Sequence, residues 1–535
     1  MKKFISVLLT IALILVMTAT AFADSTTLRI LDASERSYEG YQLLTLTIGL
    51  KTGEHHPATC DGNHADDCYN YSYAVKDAYR AILQAEVFAN GGNYLWNEGN
   101  KPDTYAGVTD DMILKYLENQ TSDAGDTYGT LRQVADRVYR AIQEAGLAAD
   151  AELNSASTNL DQGYWMIVDV TDLSDEADAQ SLVMVDTKGA GSITITPKVA
   201  IPTVEKKVKD IDDSEDSNIV DNAWMDSADH DIGDVVPFKL TAVMPSNARA
   251  YSAYKLVFHD TLSEGLTFKE GTVKVYMYET KHKAEVDTDL NDGKDVTENF
   301  VYAPATDCCG FEVSCENVLA IEGAGNNVAF VVYYEATLND KAVMGDDGNP
   351  NEVYLEFSNE PYGDGTGKTE KDKVVVFTYQ VIVNKVDSHS HALEGAGFTL
   401  YKKALNKDYE AIGEELKGDA LTTFTWGGLD DGDYKLVEST VPAGYNKMTD
   451  IQFSISAAHS ENAAEPKLLT LDGGLMGEGI VDTGAITKDI VNNTGTVLPE
   501  TGAEGTVMLI GISSLVVMMA AVFMITRKKM SVYED

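Results

Sequence analysis

Basic residues are scarce in this chain. Against 85 Asp and Glu, its 535 residues include only 41 Lys and Arg, for a formal charge of −44. Such a surface repels phosphate backbones and anionic headgroups, which excludes nucleic acid and acidic membranes as partners and implies a solvated exterior. Cysteine is rare and odd in number, five in all, so at least one thiol is left out of any set of disulfides. Cys60 and Cys68 are close enough in sequence to pair, as is Cys315 with Cys308 or Cys309. His56, Cys60, His64 and Cys68 recur at intervals of four with ligand types that suit zinc. The intervening Asp-Gly-Asn favours a loop, where regular spacing need not converge, and no metal is assigned. Asp287, Asp289, Asn291 and Glu298 follow the order of a calcium loop, but Gly293 falls one position late, so an acidic turn is expected. Neither a Gly-rich phosphate loop nor a nucleophile elbow occurs, so nothing supports turnover of an external substrate or use of a cofactor.

Long apolar runs occur only at the two ends. Lys2 and Lys3 precede an apolar run from Phe4 to Val16 and then Ala21-Phe22-Ala23, the pattern of a secretory signal peptide over residues 1–23. At the other end, about nineteen apolar residues from Val507 to Ile525 suffice for a membrane-crossing helix, set at 506–526. Arg527-Lys528-Lys529 in the tail 527–535 hold that end on the cytoplasmic side. Leu498-Pro499-Glu500-Thr501-Gly502 stands just before the helix, and its proline keeps the segment extended and readable. Trimming both ends removes five basic and three acidic residues, so the exported part is more acidic still.

That part is long enough for about three domains. Residues 24–196 mix strand patterns such as Tyr41 to Leu46 with helical spacing in Tyr79, Ile82, Leu83, Glu86, Val87 and in Leu131, Val134, Val138, Ile142. Thr109 suits a helix N-cap. A linker at 197–203 contains Pro197, Lys198 and Pro202. Beyond it, 204–372 and 373–496 show short strands and Asp/Gly/Asn turns, the pattern of β-sandwiches. The expected fold is mainly β: tandem immunoglobulin-like sandwiches after a mixed α and β domain.

The Leu498–Gly502 pentapeptide, apolar helix and basic tail together resemble the cell-wall sorting signal of Gram-positive surface proteins. The resemblance implies that a sortase cleaves between Thr501 and Gly502 and passes the Thr501 carbonyl to an amine. Tyr434-Lys435-Leu436-Val437-Glu438-Ser439-Thr440 with Pro442-Ala443-Gly444-Tyr445 resembles the E-box of CnaB domains in pilins and adhesins. Val383-Asn384-Lys385 and Ile490-Val491-Asn492-Asn493 resemble that family's first and last strands. The match implies an intramolecular isopeptide bond from Lys385 to Asn492, with Glu438 as catalytic acid and Asn493 as rival acceptor. In 204–372, Thr203 to Val208, Tyr254 to Leu262 and Tyr354 to Pro361 are similar to the second domain of fimbrial backbone subunits. This implies Lys206, Asn359 and Asp260 as amine, acceptor and acid. Lys207 points to the opposite face of the same strand, so register decides between the two lysines.

Such a trio must be buried, because burial lowers the Lys and raises the acid until amine and proton donor are both neutral. Ile193-Thr194-Ile195-Thr196-Pro197-Lys198 resembles the core of the pilin motif, with Thr196 where Tyr is usual and the upstream Trp missing. The resemblance implies Lys198 as the amine that receives Thr501 of a neighbouring copy. The chain is thus expected to be a backbone subunit of a covalent pilus. Its expected partners are further copies of itself, sortase and peptidoglycan, with minor pilins and host ligands left open. A wall-anchored adhesin or minor pilin is the alternative.

Overall fold

Alternation of apolar and polar side chains accounts for most of what forms. The computed structural model describes residues 25–31, 36–50, 69–96, 101–122, 130–153, 157–173, 176–188, 191–197, 199–211, 224–304 and 309–494. In the first domain the long strand Tyr38–Leu50 pairs with Tyr69–Val75 on one side and Gly163–Asp169 on the other, and Leu182–Asp186 extends the sheet. A smaller sheet places Ser25–Ile30 between Thr158–Asp161 and Ser192–Ile195.

Helices Arg80–Asn90, Asp110–Glu118 and Thr130–Glu144 cover the larger sheet, burying Leu83, Val87, Ile113, Val134, Val138 and Ile142 against Leu43, Met166 and Val168. These are the apolar stripes that the 3.6-residue period predicts. Thr109 caps its helix by accepting the Met112 N–H at 3.3 Å. Glu86 lies on an apolar stripe because it accepts the Tyr116 hydroxyl at 2.6 Å and the Arg137 guanidinium at 2.7 Å.

The middle domain is a sandwich of two seven-stranded sheets. One contains Thr203–Lys209, Val235–Val243 and Ala329–Leu338; the other contains Leu256–Leu262, Asn349–Ser358 and Asp372–Phe377. The run Val374-Val375-Val376-Phe377, expected to open the third domain, instead pairs with Asn349–Ser358 and Ser227–Asp229 and completes the middle sandwich. All four of its side chains are buried, so the sequence pattern carries no alternation to show which domain claims it. The boundary therefore falls at Thr378, and the chain passes without a loop into Tyr379–Asp387.

In the third domain Tyr379–Asp387 lies between Thr423–Leu429 and, in parallel, Ala485–Asn492. The facing sheet is built on Gly397–Lys403, Gly432–Thr440 and Ile451–His459. The observed fold is the expected one: mainly β, with sandwich domains after a mixed first domain.

Candidate functional site

Strand parity sends Lys206 inward with Val208 and Lys207 outward. Lys207 ends at the surface, 2.5 Å from Asp226 and 3.3 Å from Glu205. Lys206 is fully buried. Its Nζ donates to Asp260, to Asn351 Oδ1 at 2.7 Å and to the Tyr334 hydroxyl at 3.1 Å. Tyr334 donates to Asp260 Oδ1 at 3.0 Å, and Asn351 Nδ2 donates to the Tyr334 oxygen at 2.6 Å. The Tyr334 ring stacks on Phe238 with centroids 5.2 Å apart, and Nζ lies 5.6 Å from each ring centroid.

Burial lowers Lys206 to about 8, with Asp260 opposing the shift. The same burial raises Asp260, opposed in turn by Lys206. At pH 7 an amine at 8 is neutral roughly one time in ten, against about one in three thousand at the ordinary lysine value. The cluster therefore sets an amine lowered by burial against an amide carbonyl, with the raised Asp260 carboxyl beside the amine, which is the arrangement amide exchange requires.

The asparagine beside Lys206 differs from the expectation. Asn359 is buried, but it lies just past the end of its strand, roughly 25 Å along the strand direction from Asn351. Its Nδ2 donates to Leu173 O at 2.9 Å, and its main-chain oxygen accepts the Gln180 N–H at 2.8 Å. It fastens the first domain to the second and does not meet Lys206. Asn351 and Asn359 have the same parity, so alternation alone could not separate them. The missed signal is an asparagine on the core-facing side of Val353, Leu355 and Phe357. Asn349, also buried, is satisfied by the main-chain oxygens of Val343 and Val376. Asn351 is met by reactive side chains. Tyr334 was not foreseen either, and nothing local distinguishes it from a core tyrosine.

In the third domain Lys385, Glu438 and Asn492 are all buried. Lys385 stands opposite Ile490 in the parallel pairing, and Asn492 lies one core-facing position further along. Lys385 Nζ donates to Ile490 O at 2.9 Å and Val386 O at 3.2 Å. Glu438 arrives from the facing sheet, accepting Asn492 Nδ2 at 2.6 Å and the Met448 N–H at 2.8 Å. Burial lowers Lys385, against the pull of the Glu438 charge. The Asn492 side-chain oxygen is buried without a hydrogen bond. Asn493 faces solvent, so parity favours Asn492 over its neighbour.

The two sites differ in geometry. In the third domain amine and acceptor sit on neighbouring strands of one sheet. In the middle domain Lys206 and Asn351 face each other from opposite sheets.

Lys198, the Leu498–Gly502 motif, Cys60 and Cys68 with His56 and His64, and the two terminal apolar segments lie outside the described residues. Cys309 precedes and Cys315 ends the extended strand Gly310–Cys315, about 20 Å apart, too far for that pair to form, and the other expected partner, Cys308, lies outside the described residues. The Asp287 carboxylate accepts the Tyr278 hydroxyl at 2.9 Å and the N–H groups of Asn291 and Asp292 at 3.1 and 2.7 Å, which makes it the centre of a turn.

Residues 232–361 match the family described as Gram-positive pilin backbone subunit 2, Cna-B-like domain. Residues 379–467 match SpaA, a prealbumin-like fold domain. Two stretches of the chain thus resemble domains of Gram-positive backbone pilins. The chain is 29% identical over 272 residues to the trypsin-resistant surface T6 protein of Streptococcus pyogenes serotype M6, a match covering 48% of this chain and 46% of that one. The alignment thus spans about half the length of that relative. Among solved structures, the T6 backbone pilin, of modular three-domain structure, superposes with a TM-score of 0.51 at 17% identity, covering 89% of this chain and all of that one. The major pilin SpaD of Corynebacterium diphtheriae gives a TM-score of 0.41 at 18% identity, over 66% of this chain and 87% of SpaD.

Proposed function

We propose that this chain is the backbone subunit of a covalent cell-surface pilus, and that its second and third domains close on themselves through Lys206–Asn351 and Lys385–Asn492 amides. The observation that carries the reading is the buried Lys206–Asp260–Asn351 cluster. Burying the Lys206 and Asp260 charges in a sandwich core costs several kcal/mol of desolvation, and reaction removes the lysine charge from the core. Neutral Lys206 attacks Asn351 Cγ, Asp260 protonates the departing nitrogen, and one ammonia leaves for each amide formed. In the third domain Glu438 serves the same step. Two sandwiches closed in this way suit a protein under tension, and suit resistance of the kind named for the trypsin-resistant relative.

The chain is exported, cleaved by sortase between Thr501 and Gly502, and joined through Thr501 to Lys198 of the next copy. The last copy is anchored to peptidoglycan. Lys198→Ala is expected to abolish the high-mass ladder on denaturing gels. A ladder that persists would instead make the chain an accessory or adhesive subunit.

A further inference from the structure

The junction between the middle and third domains buries charge that neither Lys–Asn site uses. Lys402 ends the strand Gly397–Lys403 of the third domain, with a side chain only 11% exposed, and its Nζ lies 2.5 Å from Asp231 Oδ2 of the middle domain. Asp231 Oδ1 accepts the Asp430 N–H at 2.9 Å. The Asp430 carboxyl is buried; Oδ1 accepts the Asp431 N–H at 2.9 Å, while Oδ2 accepts no hydrogen bond and stands 3.8 Å from the Lys402 Nζ. The Tyr434 hydroxyl fixes this loop by donating to Asp430 O at 2.7 Å. Burial raises the Asp430 carboxyl well above the carboxylate range, and the Asp229 charge adds to it. Burial also raises Asp231, against the opposing charge of Lys402.

We propose that Lys402 and Asp231 condense to an amide that welds the second domain to the third, with Asp430 as the acid. The Lys402 ammonium passes one proton to the Asp231 carboxylate, and the neutral amine attacks Asp231 Cγ. Asp430 protonates the departing hydroxyl and recovers a proton from the attacking nitrogen. One C–N bond forms, one C–O bond breaks, one water leaves, and no further reactant is needed. The Asp430 N–H on Oδ1 is aimed at the oxygen where negative charge develops.

Lys207 provides an internal comparison. It lies equally close to Asp226, at 2.5 Å, but its third group, Glu205, is different. Burial would raise Glu205, yet Lys281 and Lys207 outweigh it and hold the carboxyl below its usual range. That site has no proton to give and stays an ion pair. The proposal goes beyond pilus assembly and does not depend on either Lys–Asn bond, because it expels water where they expel ammonia.

The test is protease digestion of the full chain followed by high-resolution mass spectrometry. One pair of peptides, carrying Lys402 and Asp231, is expected joined at a mass one water below their sum. Lys402→Arg keeps the ion pair and is expected to abolish this product, leaving the Lys206 and Lys385 products intact. Asp430→Asn is expected to lower its yield. Recovery of the wild-type Lys402 and Asp231 peptides unlinked, beside linked Lys206 and Lys385 peptides, would overturn the proposal and leave an interdomain ion pair. The wild-type digest decides even if a variant fails to fold.

Discussion

One position separates Lys206 from Lys207, and that step decides between a core amine and a surface ion pair. Asp260→Ala removes the acid and leaves a buried ammonium without its counter-charge. It is expected to block the Lys206–Asn351 amide and to cost about 3–5 kcal/mol in urea unfolding. Lys207→Ala, at a partly buried pair outside the core, removes no acid from the Lys206 site and is expected to leave the Lys206–Asn351 amide intact. Tyr334→Phe keeps the ring on Phe238 but removes the hydroxyl shared by Asp260 and Asn351. Slower amide formation, followed as ammonia loss over time, is the expected result. The resemblance to pilin domains made Lys206, Asp260, Lys385, Glu438 and Asn492 legible in the sequence, and parity bore only on which of two neighbouring residues faces inward. Parity could not choose Asn351 over Asn359, because that choice depends on which part of one sheet faces Lys206 across the sandwich.

At the scale of elements, the junction of the second and third domains binds its partners by titratable groups. His459 Nδ1 lies 2.8 Å from Ser227 Oγ, and Nε2 lies 3.5 Å from Asp229 and 3.9 Å from Asp210. Tyr379 donates to Asp229 Oδ2 at 2.7 Å. Burial alone would lower His459, but the hydrogen bond and charge of Asp229 outweigh it and raise the imidazole, with Glu461 and Asp431 adding. A group raised in the folded chain contributes stability that is complete below its ordinary value near 6.5 and is lost as pH rises through the folded value. Asp430, raised by burial, has the same sign. His459→Gln is therefore expected to lower the unfolding temperature more at about pH 6 than at about pH 8.5, in calorimetric scans of both proteins. An equal loss at both pH values would contradict the assignment. The sequence hid this junction because the strand Asp372–Phe377 and Tyr379–Asp387 read as one domain's start, although Thr378 divides them.

Across the whole molecule, in the proposed pilus, tension entering at the C-terminus would pass through the third and second domains, each closed by a proposed amide, while the first domain docks by noncovalent contacts that include the main-chain bond from Gln180 to Asn359. Tyr362, from the middle domain, enters the first domain's core, donates to Asp169 O and packs edge-on against Tyr139 at 4.8 Å. Arg140 reaches back to Ser252 at 3.2 Å and Pro361 O at 3.1 Å. Asn359 completes this seam. Asn359→Ala is expected to leave the ammonia losses unchanged and to split off an earlier unfolding transition for the first domain.

The measurement that tests the central claim most directly is intact mass and cross-linked peptide mapping of the mature chain. The account predicts two ammonia losses, beside the one water of the Lys402–Asp231 amide, with Lys206 joined to the peptide carrying Asn351 and Lys385 joined to the one carrying Asn492. Free Lys206 and Asn351 peptides, or Lys206 joined to Asn359, would contradict it.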